Sequence, residues 1–397
     1  MNNSEKERTR NTEPVSLYFH IPFCKVKCIY CDFYSVVDRD EQIPMFTEAL
    51  IREFQRNKPP VNDYDEVETL YLGGGTPSML SGSQLEQILE AISREIHFAE
   101  DIEITLEANP GEVDYDRLAA YRSLGVNRVS FGIQSFDNAQ LERLGRWHRA
   151  HQNIPSVEMA REAGFNNINV DLIFHLPEQS LDNFLRDLRK MLELETEHIS
   201  IYSLTVEQGT PLFRYVEDGR IEMTSDQLDA EMYMILCEKM HDAGFEHYEV
   251  SNFGKPGYHS RHNSNYWNGR HYYSYGPSAH SYNGEYRWWN VRDLSKYLTL
   301  VRNNGSPIED REYLDPETRK NEYLLTRLRT NHGIRFAEWE SLFNEPFPES
   351  LRSYFRGLID QYPGWIDEHT DGISLTETGW LFTDSIVDGG ITHLEAA

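Results

Sequence analysis

Basic side chains are scarce in this chain: its 397 residues carry 38 Lys and Arg against 65 Asp and Glu, a formal net charge of −27. A surface of that sign repels phosphate backbones and anionic lipid, so neither nucleic acid nor a charged bilayer is expected as the main partner. Long apolar runs are missing too, since no stretch approaches the roughly 18 uninterrupted apolar residues of a transmembrane segment. Met1 to Pro14 is charged and polar, so no secretory signal is expected, and residues 1–13 read as a disordered tail. Only four cysteines are present, which excludes a disulfide framework in a chain this long and fits a reducing, cytoplasmic setting. Core-forming residues are not lacking. A hydrophobic share of 39% excludes wholesale disorder, and at about 150 residues per domain the length predicts two to three domains.

From residue 14 onward, short apolar runs alternate with amphipathic stretches. The strand segments are Ser16–Ile21, Thr69–Leu72, Ile102–Leu106, Arg128–Ile133, Ile168–Phe174 and His198–Leu204. Helical spacing fills the intervals, as in Gln84–Ile96, Tyr115–Leu124 and Leu181–Leu194. Strand and helix alternating at this rhythm predict an α/β fold with a parallel sheet, either a partial barrel or an open doubly wound sheet. Polar residues near the strand ends favour the barrel: Gly73-Gly74-Gly75-Thr76, Glu107 and Gln134 follow strands, and Asp171 lies within one.

Beyond residue 222 the pattern changes. Residues 225–243 read as a helix on which Cys237 is a small packing residue. Tyr258 to Trp289 holds seven tyrosines, three tryptophans and four histidines, and residues 223–310 are taken as an aromatic and His-rich extension that closes the barrel. Residues 311–397 suggest three helices and a hairpin, a winged-helix-like α+β module. With 8 basic and 16 acidic side chains, that module is a poor phosphate binder and a better packing or partner surface.

Cys24, Cys28 and Cys31 fall in one loop directly after the first strand. Three thiolates spaced i, i+4 and i+7 can curl around one metal centre. Structural zinc would want a fourth protein ligand, for which His20 is the nearby residue. A three-cysteine iron–sulfur cluster would instead leave one iron open for an exchangeable ligand.

The spacing C-x3-C-x2-C, together with GGGTPS, LEANP, SFGIQSF and DLIF-x-LP, resembles the radical-SAM superfamily. The wording HIPFC…C-x-Y-C-x-F resembles its branch of oxygen-independent coproporphyrinogen III oxidases and their relatives. The resemblance implies a partial (β/α)6 barrel over residues 14–222, with a [4Fe-4S] cluster on Cys24, Cys28 and Cys31. It also implies S-adenosylmethionine (SAM) held by Tyr18, Tyr30, Gly74, Gly75, Thr76, Glu107, Gln134, Arg146 and Asp171. An electron donor is implied as a partner.

Two departures bear on activity. The oxidases carry a further cysteine two residues after the third, where this chain has Phe33. His262-Asn263-Ser264-Asn265-Tyr266-Trp267 matches the HNxxYW signature of a heme-chaperone subgroup of the branch. The expectation is therefore a heme carrier that passes heme to acceptor proteins such as respiratory enzymes, peripheral at the membrane through such a partner. His262 would be the axial ligand, with Tyr266 and Trp267 as neighbours, since imidazole is the commonest heme ligand. The alternative is a coproporphyrinogen III decarboxylase in porphyrin biosynthesis. His175 stands where relatives usually have glycine, so its side chain is expected to narrow the SAM site or to offer a ligand.

Overall fold

The computed structural model describes residues 14–60 and 66–395; the expected tail, residues 1–13, lies outside them. Six parallel strands form its centre: β1 (Val15–Ile21), β2 (Val67–Gly74), β3 (Phe98–Ala108), β4 (Arg128–Gln134), β5 (Ile168–Phe174) and β6 (His198–Ser203). They are hydrogen-bonded in chain order, and each of the six strand segments expected from the sequence lies on one of them. The crossovers carry α1 (Ile43–Asn57), α2 (Gly82–Ser93), α3 (Tyr115–Ser123), α4 (Asn138–Arg143), α5 (Asn153–Glu162) and α6 (Leu181–Leu192). Ser81, Asp114 and Ser180 start α2, α3 and α6 by accepting the N–H of the third helical residue, which would otherwise lack a partner.

Strand alternation divides the side chains between two environments. On β1, Phe19 faces outward and packs on Phe54 of α1, whereas Tyr18 faces inward and stacks on Tyr71 of β2. The outer face is apolar. The inner face is a column of hydrogen-bonding groups that includes Tyr18, Tyr71, Glu107, Ser130 and Asp171.

Later segments cover both edges of this sheet. On the β6 side lie α7 (Pro211–Glu217), α8 (Asp226–Asp242), β7 (Glu246–Glu249) and β8 (Asn252–Gly254), with β8 antiparallel to β6. On the β1 side lie α9 (Arg261–Trp267), β9 (Tyr272–Tyr275), β10 (His280–Tyr282), β11 (Tyr286–Asn290), α10 (Leu294–Arg302) and β12 (Ile308–Tyr313), with β9 parallel to β1. The result is a 12-stranded sheet in the order β12-β11-β10-β9-β1-β2-β3-β4-β5-β6-β8-β7.

The C-terminal part consists of α11 (Pro316–Arg327), β13 (Ile334–Arg335), α12 (Phe336–Phe343), α13 (Glu349–Gln361), β14 (Ile366–Glu368), β15 (Gly372–Leu375), α14 (Glu377–Trp380) and α15 (Thr383–Glu395). The three expected helices and the hairpin are present. Helix α15 escaped the sequence reading because Gly389 and Gly390 interrupt its pattern. A Cβ on Gly389 would stand 2.2 Å from the Tyr354 hydroxyl, so the glycine is what lets α13 and α15 pack. Arg327 joins this part to α9: its guanidinium donates to the carbonyls of Trp267 and Asn268 and pairs with Glu338 at 2.5 Å.

Glu53 of α1 is the deepest carboxylate of the β1 edge. It accepts hydrogen bonds from Gly276 N (2.8 Å), the Tyr297 hydroxyl (2.6 Å) and Asn290 Nδ2 (2.5 Å). Burial raises its pKa from 4.5 to about 7, against the pull of those three donors. A carboxyl group raised in the folded state gives stability that is complete below its unfolded pKa and is lost as pH rises through the folded one. Urea unfolding should therefore show a loss of about 3 kcal/mol between pH 4.5 and 7 that Glu53→Gln does not share.

Candidate functional site

The cysteine loop leaves β1 at Ile21 and folds back over the C-terminal end of β2. Gly75 N donates to Ile21 O, Val36 N to Pro22 O, and Cys24 N to Val36 O. This approach needs glycine. A Cβ on Gly75 would meet Phe23 O at 2.7 Å and Ile21 O at 2.8 Å, and Gly74, at φ +109°, leaves room for the His20 ring. Cys24, Cys28 and Cys31 line an open-mouthed cleft with Tyr30, Gly74, Gly75, Thr76 and Arg146.

Thr76 Oγ1 lies 3.6 Å from Cys24 Sγ, and Arg146 Nη1 lies 3.7 Å from Cys28 Sγ. Burial pushes the Cys24 thiol up to about 11 and raises Cys31 as well. In the empty protein both are therefore neutral thiols, and a bound cation has to displace their protons. Burial opposes the charge on Arg146, but Tyr30 and Cys28 more than offset it, so its guanidinium remains a fixed cation beside the sulfurs.

The other expected SAM residues lie outside the lining of this cleft. Glu107 accepts the Gly74 N–H at 3.0 Å and the Tyr71 hydroxyl at 2.8 Å; burial raises its pKa to about 7. Tyr18 packs under Gly73, 3.0 Å from where a Cβ would stand. Gln134, held at φ +65°, lies beside Gly132 at the end of β4 with Arg146 as a neighbour. Asp171 faces the barrel interior, accepting from Asn169 Nδ2 at 2.7 Å and from Ser130.

Asn109 is the residue that sequence reasoning passed over. Its amide nitrogen donates to Thr76 Oγ1 (3.1 Å) and Glu112 (3.0 Å), while its oxygen accepts from Arg146 Nη2 (2.6 Å). It therefore bridges the β2 and α4 sides of the cleft. The LEANP motif contains it, but Glu107 alone was carried forward from that motif.

Two expectations change, and His262 is found with both ring nitrogens already bonded. His20 is no fourth ligand, because Nε2 bonds Tyr34 O at 2.8 Å, Nδ1 meets the Tyr18 hydroxyl at 3.2 Å, and the ring is absent from the cleft lining. His175 neither narrows the cleft nor offers it a ligand. It occupies a left-handed backbone position, φ +58°, which accounts for glycine in relatives, and its ring turns to Thr224 O (3.0 Å), Ser203 and Asp229. His262 is 1% exposed, with Nδ1 bonded to Thr69 Oγ1 at 2.8 Å and Nε2 to the Tyr266 hydroxyl at 2.9 Å. As it stands it anchors α9 to β2, and burial lowers its pKa to about 3.

The sheet and the three-thiol loop define a class, the radical SAM superfamily, whose family model matches residues 18–191; the HemN C-terminal domain matches residues 314–382. Heme chaperone HemW of Lactococcus lactis is 35% identical over 379 residues, 95% of this chain and 97% of its own length. Heme chaperone HemW of Escherichia coli is 34% identical, covering 94% and 97%. The mouse mitochondrial radical S-adenosyl methionine domain-containing protein 1 is 39% identical over 82% of this chain and 75% of its own. By these matches the chain belongs to the HemW family. Coproporphyrinogen III oxidase (HemN) from Escherichia coli shares the fold, with a TM-score of 0.82 over 97% of this chain and 92% of its own at 23% identity.

The superfamily implies a [4Fe-4S] cluster and SAM, and the donor set fits them. One tetrahedral zinc ion draws its sulfurs to about 3.8 Å apart. Among the described residues, the one group of three His, Cys, Asp or Glu donors with all ligand atoms within 4.8 Å is Cys237, His247 and Glu377, not the loop thiols. Three thiols spaced more widely, in a cleft whose one acidic side chain, Glu112, is already bonded to Asn109 Nδ2 and Trp147 Nε1, suit a larger cluster with one open position. Anaerobically reconstituted protein should be brown and contain iron and sulfide. Gly75→Ala, which drives the loop backbone away from β2, should lose most of that iron while its far-ultraviolet circular dichroism stays unchanged.

Proposed function

We propose that this protein is a heme chaperone: it binds heme and passes it to acceptor proteins, and it carries a cluster on Cys24, Cys28 and Cys31 with SAM at the open position. Similarity to the HemW chaperones over nearly the whole of both chains carries the reading. Phe33, 69% exposed where the oxidases have their extra cysteine, is consistent with it. No helix among the described residues is long and apolar enough to cross a membrane.

A bound [4Fe-4S] cluster supplies an iron that can chelate the amino and carboxylate groups of SAM and an electron that can cleave its sulfonium bond. The chain's own groups prepare that site. Arg146 offsets thiolate charge and pairs with a carboxylate, with its direction fixed by Asn109 and by Gly132 O at 2.7 Å. Gly74 and Gly75 let a ligand approach the backbone, while Glu107 fixes the Gly74 peptide. Tyr18, Gln134 and Asp171 complete the polar wall.

For heme, the reading assigns His262 as axial ligand through Nε2, with Tyr266 and Trp267 beside the porphyrin. Ligation then requires the Tyr266 hydroxyl to leave Nε2, a bond worth about 1 kcal/mol. Hemin titration should give a Soret shift that is lost in His262→Ala. Tyr266→Phe, which frees Nε2 in advance, should bind about fivefold more tightly. If His262→Ala keeps the shift, the ligand lies elsewhere. Absence of any shift in the wild type, or turnover of coproporphyrinogen III by reduced protein with SAM, would overturn the chaperone reading.

A further inference from the structure

Cys237, read from the sequence as a packing residue, has chemical neighbours. It lies on α8 one turn before His241; His247 lies on β7; and Glu377, 130 residues further on, is the first residue of α14. Cys237 Sγ is 3.8 Å from His247 Nδ1, and Glu377 Oε1 lies 2.7 Å from His247 Nδ1 and 2.8 Å from His241 Nε2. Sγ, Nδ1 and Oε1 all fall within 4.8 Å of one another.

We propose that Cys237, His247 and Glu377 form a second metal site, for a zinc-like divalent cation, that fastens the C-terminal part to α8 and β7. The donor set is chemically suited: zinc is a borderline-soft cation that takes thiolate sulfur, imidazole nitrogen and carboxylate oxygen alike. His241, exposed at the rim, or a water takes the fourth position.

Charge balance favours the site. Without metal, the thiol is neutral, the imidazole is neutral and Glu377 is anionic. A divalent cation binds with release of one proton, from Cys237 Sγ. The cation, thiolate and carboxylate then sum to zero, the condition under which a buried ionic group is tolerated.

Coordination through Nδ1 leaves the ring proton on Nε2, and Val250 O lies 3.4 Å from that nitrogen to accept it. Such an outer-shell partner is what orients a metal-bound histidine. Phe253 stacks on the ring at 3.9 Å and Trp380 meets it edge-on at 4.5 Å, so the ring is held on its faces as well as at its nitrogens.

The test uses the full chain with Cys24, Cys28 and Cys31 replaced by alanine, so that the loop thiols bind nothing. Cobalt(II) titration under anaerobic conditions should give a thiolate-to-cobalt charge-transfer band and the visible bands of tetrahedral cobalt. These should saturate at one equivalent and disappear when zinc is added. Cys237→Ala should abolish the charge-transfer band, and Glu377→Gln, which retains a hydrogen-bond acceptor, should weaken cobalt binding at least tenfold. Zinc should raise the thermal midpoint of the parent but not that of Glu377→Gln. If no thiolate band appears in the parent, or if both variants bind as the parent does, the proposal fails, and hydrogen bonds and apolar packing fasten the two parts without a metal. If Cys237→Ala does not fold, the Glu377→Gln titration decides.

Discussion

The whole upper face of the barrel rests on a contact between two backbones. The chain leaving β1 lies directly on the chain leaving β2, and Gly74 and Gly75 are the residues that let it do so. With the loop pressed there, Cys24 comes within reach of Thr76, and Thr76 in turn is bonded to Asn109. Asn109 holds Arg146, which lies beside Cys28. Four crossovers of the sheet thus converge through one chain of polar links. A methyl group at residue 75 would disturb the first link and with it each of the others.

The parallel core was legible because apolar residues recur along each strand at the alternation that packs the outer face, as Val129, Phe131 and Ile133 do on β4. The cysteine loop was legible because donor chemistry restricts spacing. Partner choice at the sheet edges was not legible, since β8 and β9 are short and pair with strands distant in sequence. His175 illustrates a further limit. Its residue type suggested a ligand, whereas its left-handed backbone turns the ring toward α8. Nothing in a single sequence reports φ, and only the contrast with glycine hinted at it. Asn109 was hidden differently: a short amide beside a proline reads as a turn residue, and its bridging role exists only once Thr76 and Arg146 have been folded together.

The aromatic segment shows how composition alone misdirects. Its tyrosines and histidines suggested a surface for a flat ligand. In the fold many of them serve the sheet itself: Tyr275 packs between Phe19 and Phe54, and Tyr273 meets Trp288 edge-on. His262 is the residue where the two uses meet. Its ring stacks on Tyr71 at 4.9 Å, inside the same polar column that supports Glu107 and Gly74. A change at α9 is therefore one aromatic contact and two hydrogen bonds away from the loop that carries the thiols.

Arg327 gives that connection an outward end. Its guanidinium grips the last carbonyls of α9 while its other side is paired within the C-terminal part. The helix bearing His262 is thus tied to α11 and, through Glu338, to α12 of the C-terminal part. A shift of α11 against the sheet therefore has either to break these bonds or to carry the end of α9 with it.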